Sequence, residues 1–213
     1  MAKFERRLFL PAMEQLTAVA DPAKERHVAL QSLKEFLDLR QLPHLGPLYT
    51  RRGLETIGWK APAPAAPWVA AARLGAWAAQ GLSVGSDVRT ERIVAWVAAA
   101  FCYRDLVVQV PGRLLHAGVP PEADEDVREL LRPTFRHMAR GDHAERAALL
   151  VVLRVALDAC HAGTRALAEL AGSVRLYISH FPCLSCVAVL GQFARLTTSA
   201  TLEVAYDDAW EDG

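Results

Sequence analysis

The stretch Gly141-Asp142-His143-Ala144-Glu145, taken with Pro182-Cys183-Leu184-Ser185-Cys186 downstream, decides how this chain is read. Zinc commonly takes imidazole and thiolate ligands, and a catalytic zinc keeps three protein ligands plus one open position. His143, Cys183 and Cys186 would make three. Glu145 is left over, two residues from the histidine, where a carboxylate could carry protons to and from a water at the metal. Residues two apart in a regular helix point about 200° away from each other. His143 and Glu145 can therefore share a site only at the very start of a helix. Asp142 is the expected cap of that helix, and Ala147 to Leu153 supply its apolar run. Pro182 suits the first turn of a second helix, where Cys183 and Cys186 stand at i and i+3 on one face. Thiolates there are favoured by the positive end of the helix dipole. Between the two motifs, Arg175 to Phe181 (RLYISHF) reads as a strand. The order is helix, strand, helix, with both motifs at helix starts.

H-x-E followed by P-C-x-x-C resembles the signature of the zinc-dependent cytidine deaminase superfamily. The resemblance implies an α/β chain with the three-layer α/β/α deaminase fold, a mixed sheet of roughly four to five strands and a helical N-terminal extension. It implies Zn2+ held by His143, Cys183 and Cys186, with Glu145 as the catalytic proton carrier. The reaction implied is hydrolysis of a C–N bond of a cyclic amidine, cytosine to uracil. The implied partner is nucleic acid, single-stranded or duplex. Arg140, His180, Phe181 and Pro182 lie beside the site by sequence, and a base could stack on His180 or Phe181. A free nucleoside deaminase, or an inert deaminase-fold binding or accessory protein, are the alternatives. The text Tyr177-Ile-Ser-His-Phe-Pro-Cys-Leu-Ser-Cys186, with Gln192-Phe193 and Asp207-Asp208-Ala-Trp210, is similar to the deaminase modules of organellar RNA-editing proteins. Toxin-type deaminases share the short C-terminus.

The chain departs from the superfamily pattern in three places. The interval from Arg146 to Phe181 is longer than in most members, which implies an extended or two-piece helix. The opening hairpin is poorly marked. No residues follow Leu202 to Tyr206 to make a fifth strand, so four are expected unless an earlier segment supplies another.

The chain has 213 residues, enough for one full core or a small domain with an appendage. Residues 1–67 read as a helical extension and linker, and 68–213 as the deaminase-like domain. Apolar positions in Phe4 to Ala20 and Ala23 to Leu39 fall near helical spacing, while Lys60 to Pro67 alternates alanine and proline and reads as extended. No run of apolar residues is long enough for a membrane span, and Met1 to Arg7 shows no secretory signal. Four cysteines suit a reduced intracellular compartment, cytoplasm or organelle. Formal net charge is zero, which argues against bulk electrostatic capture of nucleic acid. Arg128, Arg132, Arg136 and Arg140 nevertheless run up to His143, either as phosphate contacts or as a solvated face paired with Asp124, Glu125, Asp126 and Glu129.

Further along, Trp68 to Gln80 reads as a helix, and Arg92 to Tyr103 and Asp105 to Val110 as candidates for the first two strands, closed by Pro111-Gly112, although the alanines of Arg92 to Tyr103 suit a helix equally well. Leu114 to Pro121 reads as a turn-rich connection and Glu122 to Leu131 as a short acidic helix. The apolar pattern after Glu145 runs through Ala159, breaks near Gly163 and resumes from Thr164 to Leu170. Other chemistries remain in view for the motifs. The CxxC alone could be a redox pair or half of a structural zinc knot. Cys160-His161-Ala162-Gly163 offers a second histidine nearer the CxxC, but with no glutamate at the third position it would leave an inert site.

Overall fold

The computed structural model describes residues 66–79, 93–119, 123–133, 143–161, 163–180 and 182–207. The expected helices within residues 4–58 lie outside them. The first described element is helix α1 (Pro67–Ala79), in which Pro67, read as the end of the linker, is the first helical residue. Proline fits that position because its missing N–H would have no partner there.

Strands β1 (Val94–Tyr103) and β2 (Leu106–His116) form an antiparallel hairpin joined by Arg104-Asp105. Arg104 takes φ 52, and its guanidinium sits 5.1 Å from the centre of the Tyr103 ring. The turn works without the Asn-Gly or Asp-Gly pair that usually marks such a loop, which is why the hairpin is poorly marked in sequence. Pro111-Gly112 does not close β2 as expected. The register passes from Val97↔Arg113 to Ala99↔Val110, so these two residues bulge opposite the single Ala98. A bulge on an edge strand tolerates proline, which has no N–H to give the ladder. Gly112 fits there because a Cβ would come within 2.8 Å of the Trp96 ring. The strand then continues to His116 through part of the segment expected to be a turn.

A short helix α2 (Glu125–Leu130) precedes the long helix α3 (Ala144–Cys160). A 3-10 turn (Thr164–Glu169) follows α3, so the interval between the motifs is indeed two helical pieces. Strand β3 (Ala171–Ile178), helix α4 (Leu184–Leu196) and strand β4 (Ala200–Tyr206) complete the described chain. Sheet order is β2-β1-β3-β4, with β1 antiparallel to both neighbours and β3 parallel to β4. Parallel neighbours need a crossover, and α4 supplies it. The described residues therefore form an α/β unit with a four-stranded mixed sheet.

Alternation sorts the strands into two faces. Ala95, Val97, Ala99 and Phe101 of β1, with Val174, Leu176 and Ile178 of β3, enter the main core with α3 and α4. Helix α3 is buried almost all round from Ala144 to Leu153, as expected of a helix enclosed by its neighbours. On the other face Val94, Tyr177 and Ala205 pack with Ala72 and Ala76 of α1, and Trp68 stacks on Trp96 at 5.9 Å. The Arg73 guanidinium and the Tyr177 hydroxyl both bind Asp207, tying α1 to the end of β4. Burial and the Asp207 carboxylate push the Tyr177 hydroxyl above its ordinary pKa. Among the described residues no helix is long and apolar enough to cross a membrane.

Gly172 has φ +151, and a Cβ there would lie 2.1 Å from the Ala100 carbonyl oxygen. The obstacle is backbone in the middle of the sheet, which cannot swing aside. Gly172→Ala is expected to cost about 2–3 kcal/mol of stability, measured by denaturant unfolding; a loss within experimental scatter would contradict the β1–β3 register.

Candidate metal centre

Both motifs sit where a helix begins, but each helix starts later than expected. His143 itself is the N-cap of α3, with φ -69 and ψ 137, while Asp142 lies outside the described residues. Cys183 is the N-cap of α4, with φ -71 and ψ 162, so Pro182 precedes the helix rather than opening it. The His143 side chain makes no cap bond to its helix, whereas the Cys183 sulfur also takes the Cys186 backbone N–H, one of the bonds that lower its pKa. An N-cap usually earns its place by such a bond, worth about 1 kcal/mol. Here both side chains are turned to each other.

His143 Nδ1 lies 3.1 Å from Cys186 Sγ and 3.8 Å from Cys183 Sγ, and the two sulfurs are 3.4 Å apart. A tetrahedral zinc with Zn–S of about 2.3 Å and Zn–N of about 2.0 Å separates two sulfurs by about 3.7 Å and nitrogen from sulfur by about 3.5 Å. The three donors therefore already stand within a few tenths of an ångström of what the ion needs. All three ligand atoms lie within 4.8 Å of one another. Cys186 is buried, whereas His143 and Cys183 are half-buried, which leaves one side of the cluster reachable from solvent. The residues present fit a zinc ion with an open fourth position.

Glu145, in the first turn of α3, is 3% exposed. Among the described residues its Oε2 is buried without a hydrogen-bond partner. A buried carboxylate oxygen left unpaired is costly and calls for an explanation in function. Burial, and then the charge of Cys183, raise its pKa above the ordinary carboxylate range, while the Cys186 thiol and His143 act in the opposite sense. Those partners place the carboxyl group beside the donor cluster, though not as a member of it. The two cysteines differ in acidity. A hydrogen bond from Cys186, then one from His143, lowers the Cys183 pKa to about 4 against the effect of burial. Cys186 is raised, chiefly by that same bond to Cys183 and by its burial. Cys183 is thus the more acidic of the two thiols, and binding zinc requires both to lose their protons.

Histidine 161 is excluded from this cluster. It caps the C-terminus of α3 at φ 48, and 17 helical residues, about 25 Å of rise, separate it from the N-terminus. Of the four residues expected beside the substrate, Arg140 and Phe181 lie outside the described residues. Pro182 is buried directly before Cys183. His180 is half-buried, with Nδ1 3.3 Å from Ser179 Oγ, and that hydroxyl oxygen accepts the Val94 N–H at 3.0 Å. Ser179 had no signal in the sequence beyond its position at a strand end. From the arginine run, Arg132 pairs with Glu129 at 2.8 Å, which favours the solvated-face reading at that position. Arg136 and Arg140 lie outside the described residues. No family model, curated protein or solved structure matches the chain.

Two outcomes follow from the geometry. His143→Asn supplies the missing helix cap and removes the imidazole, so the metal-free protein should gain about 0.5–1 kcal/mol in thermal unfolding while bound zinc disappears from elemental analysis. His161→Ala should keep its zinc; the opposite pattern would put the ligand at the wrong histidine. In the metal-free protein Cys183, with its pKa near 4, should be alkylated by iodoacetamide at pH 6 ahead of Cys186. Peptide mapping that found Cys183 as sluggish at pH 6 as an ordinary thiol would refute this order of acidity.

Proposed function

We propose that this protein is a zinc-dependent hydrolytic deaminase of the cytidine deaminase type, converting cytosine to uracil within a polynucleotide. The observation that carries the reading is the unpaired Glu145 oxygen beside three donors spaced for zinc. A redox pair needs neither the histidine nor the carboxylate, and a structural knot gives no role to an acid buried with one oxygen unpaired. The order β2-β1-β3-β4, with donors at the starts of the helices before and after β3, supports a deaminase-type fold.

Zinc, when bound, supplies a Lewis acid that brings the pKa of a water near neutrality. His143 Nδ1 and the two sulfurs would hold it. Glu145 is the group that moves protons: its raised pKa keeps it able both to accept a proton and to return one. In the net reaction water adds at C4 of the base, ammonia leaves, and Glu145 carries a proton from the water toward N3 and the departing amine. His180 and the buried Pro182 lie beside the donor cluster by sequence, and the Ser179 hydroxyl sits 3.3 Å from His180 Nδ1. The choice of cytosine and of a polymer rests on the motif resemblance.

Glu145→Gln should retain zinc and lose ammonia release by about 10²–10⁴-fold. The assay compares cytidine, adenosine, single-stranded DNA, duplex DNA and RNA, with zinc content measured on the same samples. Zinc-loaded wild type that releases ammonia from none of them would replace the enzyme reading with the inert binding protein.

A further inference from the structure

Helices α3 and α4 both reach for the same short piece of backbone. From α3, Arg146 donates from Nε to the Leu131 carbonyl at 2.6 Å and from a terminal nitrogen to the Arg128 carbonyl at 3.0 Å. From α4, Gln192 makes a two-way pair with Arg132. Its side-chain carbonyl accepts the Arg132 N–H at 2.9 Å and its amide donates to the Arg132 carbonyl at 3.1 Å. Arg146 is 7% exposed and Gln192 2%.

These bonds land at the end of α2, which stops at Leu130. The last carbonyls of a helix have no partner within it, and a cation there satisfies them and complements the helix dipole. A guanidinium forked onto two carbonyls also fixes direction, which a flexible ammonium would not. Residues 128–132 thus form a strut gripped from both sides. Arg146 stands three residues after His143, on the same side of α3 as the donor. Gln192 stands in the helix that carries Cys183 and Cys186 at its start. The two helices bearing the metal donors are therefore referenced to one common segment.

We propose that Arg146 and Gln192 are positioning residues for the metal site, holding the starts of α3 and α4 at the separation that brings His143 Nδ1 to the two sulfurs before a metal arrives. This rests on the zinc reading of that site. A site assembled in advance loses little freedom on binding, whereas helices free to shift would have to be ordered by the ion itself. Partners beyond the ligands commonly change metal affinity by about 10–100-fold. An ordinary loop clamp behaves differently: its removal lowers overall stability and leaves the affinity of the folded protein alone.

The test uses the full chain and Zn2+ in competition with a chromophoric chelator, at a temperature well below the unfolding midpoint of each metal-free variant. Gln192→Met keeps length and packing but loses both bonds. Gln192→Glu keeps the acceptor for the Arg132 N–H, and Arg146→Lys keeps the charge without the fork. Ser199→Ala, which removes an exposed bond to the Ala168 carbonyl, is the control. Gln192→Met and Arg146→Lys should each weaken Zn2+ binding at least about 10-fold and alter the visible spectrum of the Co2+-loaded protein, with Gln192→Glu between Gln192→Met and wild type. The control should bind as wild type does. If a folded Gln192→Met or Arg146→Lys binds Zn2+ within about twofold of wild type and shows only a lowered unfolding midpoint, the inference is overturned; should Gln192→Met not fold, Gln192→Glu and Arg146→Lys decide it. Wild type that fails to bind Zn2+ overturns the zinc reading itself, a separate result.

Discussion

Two helix N-termini meeting at one point is the constraint on which the rest of this structure depends. A helix start leaves N–H groups unpaired and carries a partial positive charge. Bringing two such ends together would be unfavourable unless something negative sits between them. Here Cys183 supplies a thiolate, held well below the ordinary thiol range by Cys186 and His143. The apolar bulk of α3, enclosed by sheet and helices, then fixes where the first end can lie.

Several features of the same cluster cost stability. The N-cap His143 makes no side-chain bond to its own helix. A carboxyl group is buried with one oxygen unpaired. Each choice costs about 1–3 kcal/mol by ordinary measures. They are concentrated within a few ångströms, while the surrounding core is conventionally apolar. Polar anchors around that core, Gln192 on Arg132 and Arg146 on two carbonyls, satisfy backbone groups that would otherwise be buried without partners.

The sheet contributes by holding β3 between an antiparallel and a parallel neighbour. Its C-terminal end delivers Ser179, His180 and then Pro182-Cys183 to the start of α4. Helix α1 covers the opposite face at this end, and Asp207 fastens it through Arg73 and Tyr177. The bulge at Pro111-Gly112 lets the outer strand pass Trp96 without losing its pairing. Together these features give the site a rigid floor.

The sequence by itself determined which side chains could act as donors and that both motifs must open helices, because local spacing and period are written in the chain. It also determined β4 and the second half of β3, from Arg175 to Ile178, while β1 was legible only as strand or helix because of its alanines. Tertiary structure alone decided the rest. Whether His143 or His161 faces the sulfurs depends on which end of α3 abuts α4, a long-range fact that no local pattern carries. The cap shift to His143 and Cys183 arises because the ring and the sulfurs are claimed by each other. Pro111-Gly112 looked like a terminus because a bulge depends on the partner strand opposite. Arg146 and Gln192 took their roles only when two helices and a loop were brought together; in sequence they are polar residues in apolar runs. Local chemistry is encoded residue by residue, whereas convergence of distant residues is settled by packing.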